Sequence, residues 1–478
     1  MYVQRCLYNC LRKKERGIMT EVGIIGGGIS GLTAGFFLQK AGIPFTLFEA
    51  SNKVGGKIRS ERNSGYLVEY GPNSLQTSTP LLNQLIEETG LSTHQIFAAE
   101  RAKKRFVVQN GTPQPLPMSP PALLSSSFFP LRTKLRLMRE PFIRAYSGDT
   151  EESVAGFIKR RLGQDILDYA VDPFVTGIFA GNPANLSLRH AFPLLYDLER
   201  EHGSLLKGLR AKRKAKKNTG KKPEPRRIFS FVDGVAMLPE ALSAPFAKSI
   251  HCNSKVLDIR REKDKWMLTI EKDGQTSTTA FDMLLNTLPL PAFQHLDLSV
   301  KPDLSSLWNV EYPPVTVLAL GFNRDDVDHP LDGFGMLVPG KENGIRILGS
   351  IFSSTVFPDR APEGSVLLTT LVGGARKGDF CHLPDDLLMD FVLDDLHNLL
   401  GVHGNPTFVK KIEWPQAIPQ YNVGYGAVKQ TLRDLEEQHS GLFMAGNYRD
   451  GISVGEAVTS GHLAAERMLA SMGKSIQV

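Results

Sequence analysis

The 478-residue chain is long enough for more than one domain with an ample core, and its 41% hydrophobic and 22% charged residues are those of an ordinary globular protein. The net charge of +6 is concentrated: residues 207–227 carry eleven Lys or Arg against one Glu, and residues 1–18 carry five against one, which leaves −8 for the rest and excludes a uniformly basic surface. Four cysteines give no disulfide framework and fit a reducing compartment, and no run of 18 apolar residues predicts a membrane span.

MYVQRCLYNCLRKKERGI, residues 1–18, lacks the continuous apolar core of a secretory signal and reads as a tail or a mis-assigned start before Met19. Cys6 and Cys10 have no second Cys or His pair at ligand spacing, so no metal site is expected. Residues 22–25 read as a buried strand. Gly26, Gly28 and Gly31 then fit G-x-G-x-x-G opening a small-residue helix, with Gly27, Ile29 and Ser30 between them. Gly26 allows the tight turn, Gly28 lets backbone approach a pyrophosphate, and Gly31 permits close helix–strand packing, with the helix N-terminus facing the anion. A second strand at 45–48 ends on Glu49, placed to accept hydrogen bonds from ribose hydroxyls. An acid there argues against a 2′-phosphate and leaves NAD and FAD both open.

Residues 81–90 read as an amphipathic helix closed by Gly90, and 105–117 as a hairpin about Asn110-Gly111. Residues 118–146 mix Phe, Leu and Pro with basic residues. A helical pitch there groups Leu135, Leu137, Met138 and Phe142 beside cations, which suits either an interfacial helix on an anionic membrane or a core-facing one. Residues 150–181 start at a cap-like Thr150 and place Val154, Phe157, Ile158, Leu162, Ile166 and Leu167 at helical intervals. The basic stretch 207–227 reads as a disordered loop; a solvated linker, contact with acidic headgroups and contact with nucleic acid are its three readings. Asp273-Gly274 closes a strand pair, 281–291 returns to the nucleotide sheet, 312–375 alternates strands and turns, and 385–401 forms an amphipathic helix. Residues 441–470 repeat the strand, glycine turn and small-residue helix of the start.

After the first acid, residues 51–74 hold a second pair, Gly55-Gly56, then Lys57, Arg59 and Gly71-Pro72-Asn73-Ser74. This resembles the extended fingerprint of the GG-motif flavoproteins, the amine oxidase-like superfamily, and so implies FAD. EYGPNS (69–74), KRFVVQNGTPQPLP (104–117), DPFVTGIFAGNPANLSLRHAFP (172–193), GFGMLVPG (333–340), ILGSIFSSTVFPDRAPEG (347–364), LVGGARK (371–377) and WPQAIPQYNVGY (414–425) follow in order. Together they resemble oxygen-dependent protoporphyrinogen oxidases, including the bacterial forms that oxidise coproporphyrinogen III.

The resemblance implies an α/β fold, α+β overall: a Rossmann-like FAD-binding domain, a mixed-sheet substrate domain and an inserted helical, membrane-facing domain. The division expected is FAD-binding at 19–84, 228–292 and 413–470, the helical insertion with part of the substrate domain at 85–206, the basic loop at 207–227, and the substrate domain at 293–412. The implied reaction is FAD-mediated hydride abstraction from a porphyrinogen with O2 as acceptor, giving H2O2 in haem biosynthesis.

Implied cofactor contacts are the 26–31 loop, Glu49, Ala50, Gly56, Lys57, residues 71–74, Val256, Trp414, Asn447 and the run Ile452, Ser453 and Val454. Arg105 would hold a propionate, Gly177 would lie beside the bridge carbon, and Leu337, Ile351 and Leu371 would sandwich the macrocycle. Val256 also reads as a plain strand residue, Arg105 as a surface cation, Gly177 as a helix cap and the three aliphatics as core. An aliphatic at 371 departs from the aromatic ring that plant forms often present. No catalytic acid or base is assigned. The implied setting is cytoplasmic and peripherally membrane-associated, without nucleic acid, and it leaves room for a homodimer and for hand-over to the next haem-pathway enzyme. The alternatives are an amine oxidase, a carotenoid desaturase or a non-catalytic flavin-binding membrane-associated protein; NYRDGISV lacks the aromatic pair of an amine oxidase closing motif.

Overall fold

Four consecutive apolar residues, Val22–Ile25, are all buried and form the central strand of a five-stranded sheet. Phe45–Phe48 and Ile250–His251 lie on one side of it, Met283–Asn286 and Leu442–Met444 on the other, and every pairing is parallel. In chain order these strands run 3-2-1-4-5, the doubly wound nucleotide-binding arrangement, which opens its crevice between the first and fourth strands at their C-terminal ends. The computed structural model describes residues 20–148, 150–218, 226–298 and 303–476. The tail 1–18, with Cys6 and Cys10, lies outside them.

Helix Ile29–Lys40 follows the first strand, and ten of its residues, from Ile29 to Leu38, are buried. Helix Val454–Ser471 packs against it at close range: Ser30 Oγ donates to Ala457 O at 2.8 Å, and a Cβ on Gly461 would stand 2.2 Å from Ser30 O. Small residues let the two backbones meet, so the first and last parts of the chain form one layer. A meander, Lys255–Glu262, Lys265–Lys272 and Gln275–Phe281, flanks this unit; Asp273 and Gly274 both take positive φ at its second turn.

The second large sheet has seven strands. Strands Val315–Asn323, Gly333–Leu337, Ile347–Phe352, Ser365–Gly373 and Phe408–Trp414 are joined by the hairpin Lys104–Gln109/Thr112–Pro115. Asn110 and Gly111 have φ of 52° and 73°, as a type I′ turn requires. Helix Asp385–Leu400, ended by a left-handed Gly401, covers one face through Leu388, Val392 and Leu396. The opposite face looks toward the nucleotide unit and the helical block. The expected division at 84/85 falls inside helix Pro80–Glu88, and that at 412/413 falls inside strand Phe408–Trp414.

Helices dominate residues 120–218. Two expectations there are corrected. Thr150 does not cap the helix of 154–161; Ser153 does, its hydroxyl accepting from Gly156 N–H at 3.1 Å. The basic stretch is helical from Leu205 to Asn218, and the rest of that expectation, at 219–225, lies outside the described residues. Leu, Ala, Lys and Arg are good helix formers, and the start is held by a residue 65 positions away: the buried Glu140 carboxylate accepts from Leu205 N–H at 2.8 Å and Leu206 N–H at 3.2 Å. Arg161, fully buried, pairs with Glu140 at 2.9 Å and Glu199 at 2.5 Å.

Candidate functional site

The crevice is built from glycine. Gly26 turns with φ 101°, and a Cβ on Gly31 would stand 2.1 Å from Gly26 O, so the helix begins in direct contact with the turn. Around Gly28 the reverse holds, since no atom lies within 4 Å of a Cβ added there. The helix Ile29–Lys40 has neither a side-chain cap nor an acid in its first turn, so its first N–H groups are available to an anion. The second glycine pair docks onto the first: Gly55 N–H donates to Gly27 O at 2.8 Å, and Gly56 has φ 59° with its Cβ position 3.3 Å from Gly28 Cα. Glu49 is fixed at the end of the second strand by Gly27 N–H at 2.7 Å and Ser51 N–H at 2.8 Å, beside the exposed Ala50. Thr287, unread in the sequence, closes the floor by donating to Ile25 O and Gly26 O, both at 2.9 Å.

The remaining cofactor candidates converge on this crevice from three directions. Ser254 N–H donates to Glu49 O at 2.8 Å, two residues before Val256 in the strand that follows. Lys57 donates to Gln416 O at 2.6 Å and to Ala417 O, stands 5.7 Å from the Trp414 ring, and is pulled by burial to a pKa of about 8. Trp414 Nε1 donates to Tyr70 O at 2.8 Å, directly before the half-buried run Gly71, Pro72, Asn73 and Ser74. A Cβ on Gly71 would meet Lys57 O at 2.3 Å. Ser453 caps the last helix in a reciprocal capping box with Glu456, with Asn447 and Ile452 on the turn before it and Val454 as its first residue.

That closing turn is held by two tyrosines the sequence did not single out. Tyr421 Oη donates to Asn447 O at 2.5 Å and accepts from Gly451 N–H at 3.0 Å, while Tyr425 Oη donates to Tyr448 O at 2.6 Å. Their rings stack at 4.2 Å, and burial raises both pKa values well above the usual 10. No local periodicity signals the pair, because Tyr421 precedes the helix that Tyr425 opens.

On the open face of the seven-stranded sheet, antiparallel register sets Leu337 opposite Gly349, Gly349 opposite Leu371 and Ile351 opposite Thr369. Leu337, Ile351 and Leu371 therefore share one face. They make one wall, because directly paired residues point the same way, and as one wall they can cover a single face of a ring. Each is only half-buried, whereas Met336, Val338, Phe352 and Val372 on the other face are buried. Gly177 lies against the wall, its Cβ position 2.9 Å from a Leu337 methyl. Arg105 stacks on Phe334 at 4.2 Å and donates to Ala102 O at 2.7 Å. Burial lowers its pKa, and among the described residues no carboxylate pairs with it. A small cavity lined by both Asn73 and Ile351 joins cofactor and wall candidates, and the buried Glu69–Arg360 pair at 3.2 Å borders it.

The profile of the flavin-containing amine oxidoreductases matches residues 29–469. The chain belongs to this family. It is 35% identical to the mitochondrial protoporphyrinogen oxidase of Nicotiana tabacum over 94% of each chain. It is 28% identical to the coproporphyrinogen III oxidase of Bacillus subtilis, over 93% of this chain and 97% of that one. A crystal structure from Exiguobacterium, provisionally named a protoporphyrinogen oxidase, superposes with a TM-score of 0.79 at 23% identity, covering 95% of this chain and 99% of that one. The chain is an FAD-dependent oxidase, and the glycine cradle, the uncapped helix start and Glu49 fit that cofactor.

Proposed function

We propose that this protein oxidises a porphyrinogen, protoporphyrinogen IX or coproporphyrinogen III, to the porphyrin, with O2 as final acceptor. The observation that carries the reading is the half-buried aliphatic wall of Leu337, Ile351 and Leu371 facing Gly177, with the carboxylate-free Arg105 at its side. A flat, apolar macrocycle bearing propionates matches both parts, because a guanidinium binds a carboxylate bidentately. The relatives named for porphyrinogen oxidation support it. Putrescine oxidase, at 14% identity and a TM-score of 0.66, shares the fold alone, so it lends the amine oxidase alternative little.

Bound FAD supplies the hydride acceptor. The protein's own part is to hold and orient: Gly26 to Gly31, Glu49, Ala50, Gly56, Lys57, residues 71–74, Val256, Trp414, Asn447 and residues 452–454 hold the cofactor. The wall presents one face of the substrate, and Gly177 permits close approach by lacking a side chain. The division into FAD-binding, substrate and helical segments is part of the same reading. The test is anaerobic addition of each porphyrinogen to the yellow protein: bleaching followed by recovery of colour and porphyrin fluorescence in air supports it. A flavin that stays oxidised with both would overturn it, and the faster of the two substrates identifies the ring substituents.

A second observation concerns location. Leu131 (71% exposed), Met138 (56%) and Phe142 (86%) project from the helical block beside the exposed Arg132, although no helix among the described residues is long and apolar enough to cross a membrane. Apolar side chains interleaved with cations suit the surface of an anionic bilayer. Co-sedimentation with anionic vesicles, lost in Phe142→Ser/Met138→Ser, is the expected result; equal sedimentation of both proteins would refute peripheral binding through this patch.

A further inference from the structure

We propose that the Asp172–Arg376 ion pair is a positioning device that holds the helix bearing Gly177 in contact with the Leu337–Leu371 wall, and so fixes the surface on which a flat ring is gripped. The inference rests on the porphyrinogen reading above. Asp172 opens the helix Asp172–Phe179 that carries Gly177, and it is buried. Its carboxylate accepts from Gly340 N–H at 2.6 Å, three residues beyond Leu337, and from both terminal nitrogens of Arg376, five residues beyond Leu371. Arg376 also donates to Thr176 Oγ1 at 2.7 Å, one residue before Gly177. The Asp172–Arg376 pair thus ties the ends of two wall strands to the helix packed against them.

The seating is tight. A Cβ on Gly340 would stand 2.2 Å from Arg376 Nη1, so the backbone has no room to slide. At its far end the helix is fastened again, Ala375 N–H donating to Ala180 O at 2.7 Å. The same loop fixes the arm that bears Arg105: Glu342 accepts from Asn110 N–H and Gly111 N–H, both at 3.0 Å, at the tip of that hairpin. Residues Leu167–Val171, immediately before Asp172, form a π-helical turn, a conformation frequent at functional sites. Apolar contact alone leaves a helix free to shift on a sheet; a bidentate pair fixes direction as well as distance.

The experiment uses the FAD-loaded full chain. Arg376→Met is expected to raise the KM for porphyrinogen about tenfold with kcat within about threefold, and to weaken binding of the porphyrin product by a similar factor. Flavin content and flavin absorbance stay unchanged, and Arg376→Lys recovers part of the loss. Thr176→Val removes one hydrogen bond without orphaning a charge, so it decides the matter if Arg376→Met fails to fold; its expected KM rise is about threefold. Folded, fully flavinated Thr176→Val and Arg376→Met with the KM and porphyrin affinity of the unaltered protein would overturn the positioning role while leaving the porphyrinogen reading intact. An unaltered protein that neither binds porphyrin nor bleaches with porphyrinogen would fell both.

Discussion

Gly28 and Gly31 stand three residues apart, one capping and one inside the first turn of the same helix, yet the structure assigns them opposite sensitivities. Alanine at 31 places a Cβ 2.1 Å from Gly26 O and 2.9 Å from Thr287 Oγ1. Apolar contact needs about 3.4 Å, so the helix start and the turn must part by about 1.3 Å. Thr287 is bonded to Ile25 O and Gly26 O, which passes the strain into the first and fourth strands. Overpacking of this kind costs about 1–3 kcal/mol. The displaced N–H donors lose charge-assisted hydrogen bonds worth about 1.5–3 kcal/mol each, at least a tenfold loss of FAD affinity. Alanine at 28 meets no atom within 4 Å, and its φ of −73° suits any residue. That substitution is expected to leave stability within about 0.5 kcal/mol while its methyl blocks the approach of the pyrophosphate. The assay is the flavin-to-protein ratio after purification together with thermal unfolding of the FAD-free proteins. Gly31→Ala should lose both flavin and stability, and Gly28→Ala flavin alone. A Gly28→Ala protein that melts below Gly31→Ala, or either variant with full flavin content, would refute the reasoning.

Removing the Glu49 carboxylate with Glu49→Ala frees Gly27 N–H and is expected to weaken FAD binding by about 1.5–3 kcal/mol, read by equilibrium dialysis. Glu140→Gln leaves buried Arg161 half-paired and uncaps helix Leu205–Asn218; about 3–5 kcal/mol should be lost in urea unfolding, and a loss below 1 kcal/mol would contradict the network. Lys57 titrates near 8 when folded against 10.5 when unfolded. Between those values the unfolded chain holds more protons, so FAD-free protein should gain stability as pH rises through this window, by up to about 3 kcal/mol. The cost remains in full below pH 8. Lys57→Met should remove that slope, and parallel pH profiles for the two proteins would disprove its origin in Lys57.

Much of the cofactor crevice was legible because its determinants are local. A short apolar strand, a G-x-G-x-x-G turn and a small-residue helix occupy the nineteen consecutive positions 22–40, and the role of each glycine follows from backbone conformation. The Asn110-Gly111 and Asp273-Gly274 turns were legible for the same reason. Less so was the segment after Leu205: its lysines and arginines suggest a solvated coil, and its helical start depends on Glu140, which no local pattern connects to it. Tyr421 and Tyr425 were likewise visible as residues but not as the props of a turn 26 positions away.

The sequence by itself determined the strand–turn–helix units, the hairpin turns and a dinucleotide-binding loop, since side-chain periodicity and glycine conformational freedom act within a few residues, while FAD rather than NAD rested on the family resemblance. Only the tertiary structure decided that Leu337, Ile351 and Leu371 form one wall, that Gly177 is pressed against it, and that Asp172 and Arg376 hold the two together. A strand's side chains alternate faces with a period of two, so which face a residue joins depends on register with strands far along the chain. Such pairings, and the ion pair that spans 204 positions, exist only once the long-range contacts have closed.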